Sequence, residues 1–407
     1  MNAEKIKTYL IMNNLRMVDT PELADFILMF TCGLFTPTPY ELYQIQEYQK
    51  LKGELIVCGC LPAMEPERVA NVFDGKIVIT KELEKIDNLF PDFRFKFKDV
   101  DEPNSLFRNG NYYEDEEDED SIKGDKKILT SILEHEIRIP LLNKTNLPRL
   151  IETDPNHYLI RISRGCAGNC SYCAIRFAVG KLHSKEPDEI IREVIRAISR
   201  GTYKISLVSD DTGAYGQDIG TNIVNLLKQI LNIDPRIEIE YLQDLNPLYL
   251  CRYGDELVDL IRTKRIKSFQ TAIQSGSERV LRLMNRPTDV KRYKTLIEKM
   301  RKVYPGIKIR NQIIVGFPSE TEEDFNETKR LLKECKFDQV DVYLYREYSL
   351  CNSAMIFPKV SKEIKINRQR ELIDLGTPHL IIFSRINLKR ISHYIGSKLR
   401  IWKEPLY

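Results

Sequence analysis

His157-Tyr-Leu-Ile-Arg-Ile-Ser-Arg-Gly-Cys166-Ala-Gly-Asn-Cys170-Ser-Tyr-Cys173 is the stretch on which the reading of this chain turns. Its first half, Tyr158 to Ser163, is an apolar run rich in β-branched and aromatic residues, which predicts a buried strand. Its second half places three cysteines at x3 and x2 spacing immediately after that strand. Three thiolates match three irons of a cubane and leave the fourth iron open to a small molecule. Ordinary protein-held clusters and structural zinc sites are closed by four ligands. A zinc knuckle completed by His183 is the competing reading. The position of the cysteines at a strand end, in a repeating strand-helix pattern, disfavours it.

That pattern runs on from the cysteine loop. Lys204 to Ser209, Ile237 to Leu242, Ser268 to Ile273, Lys308 to Val315 and Gln339 to Tyr345 read as strands. Helices are expected between them, over Pro187 to Ser199, Asn222 to Leu231, Glu256 to Thr263, Ser277 to Met284, Val290 to Val303 and Glu322 to Lys333. Six such units in a row predict a parallel sheet with helices outside, as a partial (β/α)6 barrel over residues 151–360. Chemistry in such barrels sits at the carboxyl ends of the strands.

Working back towards the start, residues 1–95 predict a small parallel α/β domain. Its strands are Ala24 to Thr31, Glu54 to Val57 and Lys76 to Ile79, with helices from about Pro39 to Lys52 and from Pro66. The fold class is therefore α/β throughout. Residues 96–150 show no sustained periodicity and read as an acidic linker with one short helix near Ile128 to His135. Residues 114–120, Glu-Asp-Glu-Glu-Asp-Glu-Asp, repel one another and read as a solvated, unstructured block. Residues 361–407 read as a helical tail, ending in the strand-like IGSKLRIW.

Composition narrows the setting. Nine cysteines, an odd number, and no secretory leader argue against a disulfide framework and for metal or redox chemistry in the cytoplasm. No apolar run is long enough to span a bilayer. A net charge of only +3 identifies no partner by itself. Cys251, Cys335 and Cys351 stand outside any pattern and read as ordinary buried thiols. The five histidines form no ligand spacing.

Several segments beyond the cysteine loop carry a resemblance: CAIRFAVGKLHS, DDTGAYGQDIG from Asp210, Leu245 to Pro247, QSGSERVLRLMNR from Gln274 and IIVGFPSETEEDF from Ile313. With RISRGCAGNCSYC they resemble the radical S-adenosylmethionine methylthiotransferases. The wording of GKLHS and DTGAYGQDIG is similar to the archaeal and eukaryotic branch, which acts on N6-threonylcarbamoyladenosine 37 of tRNA. A sister branch modifies an aspartate of a ribosomal protein. LADFILMFTC and VCGCLPAMEPERV resemble the family's N-terminal cluster segments and match Cys32 and Cys60 to two of its three cluster cysteines.

The resemblance implies a radical-SAM barrel. Cys166, Cys170 and Cys173 hold a 4Fe-4S cluster that cleaves S-adenosylmethionine. It also implies a second 4Fe-4S cluster on Cys32 and Cys60 that carries the sulfur, tRNA as a partner, and an external electron donor such as flavodoxin or ferredoxin. Tyr172 is expected near the adenine, or as a core aromatic. Asp210 and Asp211 are expected to accept hydrogen bonds from the cofactor, or to cap the next turn. Gln274 and Ser275 are candidates for its ribose or carboxylate. Gly316, with Phe317 and Pro318, closes a strand where the adenine approaches the backbone, or only makes a turn. Arg164 and Arg176 either steer an anionic group or are solvated.

The chain also departs from the family. Met1-Asn2 coincides with the point just after the family's first N-terminal cysteine, and Cys58 is either a replacement ligand or a core thiol. The C-terminal RNA-binding barrel of the family is expected to be missing. Asp210-Asp211 replaces a Gln-Asp pair, Asn311-Gln312 replaces Thr-Asp, Val179 and His183 replace arginines, and Leu350-Cys351-Asn352-Ser353 replaces Arg-Pro-Gly-Thr. Three functions stay open: methylthio insertion on tRNA, on a peptide or on a small molecule; a radical enzyme that no longer inserts sulfur; and a binding protein with a relic barrel.

Overall fold

The computed structural model describes residues 2–18, 20–33, 38–101, 106–108, 111–113, 127–132 and 157–375. They divide into two compact units: the described residues within 1–148, 154–243 and 348–354, and those within 244–347 and 355–375.

The first unit opens with a helix, Asn2–Met12, and the short strand β1, Arg16–Met17. Strands β2 (Phe26–Thr31), β3 (Glu54–Gly59) and β4 (Lys76–Ile79) follow. The sheet is entirely parallel in the order β1-β7-β2-β3-β4, where β7 is Lys127–Ile132. Apolar side chains on both faces of β2 and β3 bury this sheet from two sides, as parallel sheets require. Ile6, Tyr9 and Leu10 pack on one face with Leu28, Ile56 and Cys58. Ile45 packs on the other with Ile27, Met29 and Val57.

Residues near Ile128, expected as a short helix, are thus a strand. β7 pairs with β1 on one side and β2 on the other, Phe26 facing Ile128 and Phe30 facing Ile132. A ladder between partners so far apart leaves no periodic trace in the local sequence. The acidic block 114–120 and the expected terminal strand 395–402 lie outside the described residues.

The hairpin β5 (Leu106–Arg108) and β6 (Asn111–Tyr113) pairs antiparallel with β8, His157–Arg161. A ribbon of β9 (Ser163–Arg164) and β10 (His183–Ser184) clasps the cysteine loop between its strands. β8 then pairs in parallel with β11 (Lys204–Val208), and β11 with β12 (Glu238–Leu242). Helices Pro187–Ser199 and Ile223–Ile233 connect them.

The second unit repeats this arrangement with β13 (Ser268–Gln274), β14 (Lys308–Val315) and β15 (Gln339–Leu344), all parallel. Helix Val290–Val303 buries Tyr293, Leu296, Ile297 and Met300 as one stripe and starts at an Asp289 cap. Helix Glu322–Cys335 starts at a reciprocal capping box of Thr321 and Asp324. The architecture is α/β, with six parallel strands alternating with helices between His157 and Leu344. Among the described residues no helix is long and apolar enough to cross a membrane.

Candidate functional site

The cysteine loop is shaped by its glycines and its backbone. Gly165 has φ +72°, and a Cβ there would collide with the Lys181 carbonyl oxygen. The amide of Cys166 donates to Gly180 O at 3.2 Å, and that of Cys173 to Cys170 O at 3.2 Å. The loop therefore closes on itself, and its three cysteines are all half-buried. The Gly168 amide donates to Cys166 Sγ at 3.2 Å. A Cβ on Gly168 would stand 3.2 Å from Cys166 Sγ and 4.0 Å from Cys170 Sγ, so two of the thiols flank one bare glycine.

Cys166 stands in a desolvated setting beside a carboxylate. Burial, then the Asp211 carboxylate, pushes its thiol up to about 12 despite the Gly168 N–H. Among the described residues no three His, Cys, Asp or Glu side chains stand at the spacing one metal ion needs. Thiolates around a single zinc are about 3.8 Å apart, given Zn–S bonds of about 2.3 Å. An iron-sulfur cluster presents its irons at separate corners and takes more widely set thiolates. Three thiols on one loop, two of them flanking Gly168, are a donor set that an iron-sulfur cluster can take. His183 is exposed on β10, opposite Arg164.

The end of β11 supports this loop. Asp210 Oδ2 accepts the Gly165 N–H at 2.8 Å, holding the residue before Cys166. Asp211 Oδ1 accepts the Ala214 N–H at 3.3 Å, which is the turn-capping role, while its charge also reaches Cys166. Ser209 Oγ lies 2.6 Å from Ser163 Oγ and accepts the Asp211 N–H at 3.2 Å, tying β11 to the start of the loop. Tyr172 is half-buried on the loop itself, and Arg176 stacks over Phe177, 4.7 Å from the ring centroid.

The N-terminal cysteines also gather at strand ends. Thr31 of β2 pairs with Gly59 of β3, so Cys32 and Cys60 leave neighbouring parallel strands side by side. The Cys60 N–H donates to Thr31 O at 2.9 Å. Glu41, fully buried, accepts the N–H groups of Cys32 at 2.7 Å and Gly33 at 3.1 Å. Cys60 Sγ lies 3.3 Å from Thr80 Oγ1. Cys58 instead lies in the core with Tyr9, Leu28 and Ile56, and burial pushes its thiol up to about 12. It is a core thiol.

Gln274, Ser275 and Gly316 stand in the second unit. Gln274 ends β13 at φ +74°, is 6% exposed, and its Oε1 has no hydrogen-bond partner among the described residues. Ser275 is fully buried, its Oγ accepting the Ser277 N–H at 3.1 Å and lying 3.3 Å from Thr328 Oγ1. Gly316, at φ +74°, donates its N–H to Glu320 Oε2 at 2.6 Å. The space where its Cβ would stand is filled by the Lys365 side chain. The close approach expected at Gly316 is thus made by a helix of this chain, Lys362–Asp374.

The sequence reading missed the loop closers Gly165, Lys181 and Gly180, as well as Glu41. A glycine directly before the first cysteine was the available signal for Gly165. Nothing local marks Glu41, because its partners come from the preceding strand end.

A family profile for the Radical SAM superfamily matches residues 160–332. A protein of Pyrococcus horikoshii named "Probable threonylcarbamoyladenosine tRNA methylthiotransferase" is 29% identical over 346 residues, covering 84% of this chain and 73% of that protein. The ribosomal protein uS12 methylthiotransferase RimO of a Thermoanaerobacter species is 29% identical over 417 residues, covering 100% of this chain and 86% of its own length. Among solved structures, the radical S-adenosylmethionine methyltransferase TsrM of Kitasatospora setae aligns with TM-score 0.53 at 13% identity, over 81% of this chain and 64% of that one. That likeness shows the fold.

Proposed function

We propose that this chain is a radical S-adenosylmethionine methylthiotransferase and that it inserts a methylthio group at C2 of N6-threonylcarbamoyladenosine 37 in tRNA. The observation that carries this reading is the self-closed loop that gathers Cys166, Cys170 and Cys173 at the end of β8, beside Asp210 and Asp211. Its resemblance to tRNA-acting relatives supports the choice of substrate.

In this reading residues 151–360 form the radical barrel and residues 1–95 the sulfur-donor domain. Cys166, Cys170 and Cys173 hold a 4Fe-4S cluster, and Cys32 and Cys60 contribute to a second. When bound, the cluster and S-adenosylmethionine supply the electron and the radical that open an unactivated C–H bond. The protein's own part is placement. Asp210 fixes the Gly165 turn, so that the three thiolates meet the irons without rearrangement. Tyr172 offers an apolar face to the adenine. Gln274 is the second unit's candidate for the ribose or the methionine carboxylate of the cofactor. An external flavodoxin or ferredoxin delivers electrons.

A second substrate, a ribosomal-protein peptide, is favoured by the end-to-end alignment with the uS12 enzyme. The test is anaerobic incubation of the reconstituted full chain with S-adenosylmethionine, a reductant and either tRNA bearing the threonylcarbamoyl group or a uS12 peptide. Mass spectrometry of the digested product reads the result. A methylthiolated nucleoside is expected. A methylthiolated peptide with unmodified tRNA reassigns the substrate. Deoxyadenosine release with neither product removes sulfur insertion.

A further inference from the structure

The first unit contains seven of the nine cysteines: 32, 58, 60, 166, 170, 173 and 351. Three form the loop after β8, and Cys58 faces the core shared with Tyr9 and Leu28. The three that remain lie on three distant segments of the chain, and the charge of Cys173 also reaches Cys351. Cys32 and Cys60 leave adjacent strand ends, as the Thr31–Gly59 pairing requires. Cys351 lies on a tight turn whose amide donates to Tyr348 O at 3.0 Å.

That turn is fastened to both cysteine-bearing segments. The Tyr348 hydroxyl donates to Gly33 O at 3.1 Å, on the residue directly after Cys32. The Ser353 N–H donates to Ser171 O at 3.0 Å, between Cys170 and Cys173. Met64, Ala174, Ala178, Tyr348 and Cys351 form one apolar cluster, with Cys60 and Ala63 packed against it. Cys351 is only 2% exposed. It falls within Leu350–Ser353, the run in which this chain departs from its family. A sequence reading has no reason to connect Cys351 with Cys32, because the contact that joins their segments spans 315 residues.

We propose that Cys351 completes, with Cys32 and Cys60, the thiolate set of the second iron-sulfur cluster. The inference rests on the reading above, in which a second cluster serves as sulfur donor. Three thiolates leave one iron of a four-iron cluster without a protein ligand, as the loop after β8 does. The apolar cluster covers Cys351 and packs against Cys60, which limits the access of water to both. The turn at Cys351 also touches the radical loop through Ser171, so one short segment braces both cysteine sets.

The test is anaerobic reconstitution of the full chain with iron and sulfide, read by iron and sulfide content and by electron paramagnetic resonance of the reduced protein. In a Cys166/Cys170/Cys173→Ala background the chain should hold about four irons. Adding Cys351→Ser, which barely changes side-chain volume, should bring this below about one, while adding the core substitution Cys58→Ser should leave about four. Unchanged iron and an unchanged spectrum after Cys351→Ser overturn the inference and leave the second cluster standing. No iron in the background itself overturns the second-cluster reading, and this inference with it. In the chain with its radical loop intact, Cys351→Ser should lower iron from about eight to about four, and retention of about eight would also sink the assignment.

Discussion

Where β8 ends, the chain turns through Gly165 and presents three half-buried thiols held in place by backbone N–H groups, carbonyls and one carboxylate. Where β13 and β14 end, charged and hydroxyl side chains bond to one another. Asp324 takes Ser277 Oγ at 2.6 Å and the Thr321 N–H at 2.8 Å, and it pairs with Arg279. Glu320 takes the Gly316 N–H and pairs with Arg368 at 2.7 Å. The first kind of strand end is held largely through its backbone. The second uses its side chains to hold its own shape. Fastening through the backbone leaves the shape of that loop dependent on single φ values.

The strongest test of this contrast is Cys166/Cys170/Cys173→Ala. Deoxyadenosine formation should fall to background and iron should drop by about half, while the melting temperature of the metal-free chain stays within about 2 °C. A large drop in that melting temperature would show that the thiols also support the fold, and the contrast would fail.

Gly165→Ala attacks the same loop through its backbone. A side chain at φ +72°, pressed on the Lys181 carbonyl, should cost about 3 kcal/mol. Denaturant melts of the metal-free chain measure this cost, and iron content after reconstitution should fall with it. Full iron retention would mean that the loop can be rebuilt around the metal.

Asp324→Asn addresses the other kind of strand end and should cost about 2 kcal/mol, the buried-pair value reduced because Arg279 is half-exposed. Burial alone would raise the Asp324 carboxyl, but Arg279, Ser277 and Thr321 hold it well below its ordinary 3.8. A depressed carboxyl stabilises the fold above its unfolded value and loses that contribution as pH falls through its folded value. The gap between wild type and variant should therefore be full at neutral pH and shrink below about 3.9. A gap independent of pH would remove the charge from the explanation. The smallest effect, about 1 kcal/mol, is expected for Thr321→Ala, which removes one cap of helix Glu322–Cys335 and leaves iron content unchanged.

The sequence was most legible where structure repeats locally. Helices Pro187–Ser199 and Val290–Val303 follow from apolar spacing and their start signals, and both match the expected limits. β2 and β3 read as apolar runs because both of their faces are covered. β1 has two residues and no pattern to read, and β7 resembles a helix until its neighbours are known. In the site, the cysteine loop was legible because its ligands are contiguous in sequence. Ser275 and Gly316 were less so: each meets another segment of this chain, Thr328 or Lys365, which local sequence does not reveal.

The sequence by itself determined the alternation of strands and helices, the three-thiol loop and the placement of Cys32 and Cys60 after strands. All three depend on residues within a few positions of one another, where spacing and propensity decide. The tertiary structure alone decided that Cys58 turns into the core, that β7 enters the first sheet and that the turn carrying Cys351 is tied to the segment after Cys32. Those outcomes depend on which distant segments pack together, and the energy of burying one face against another is not written at either position alone.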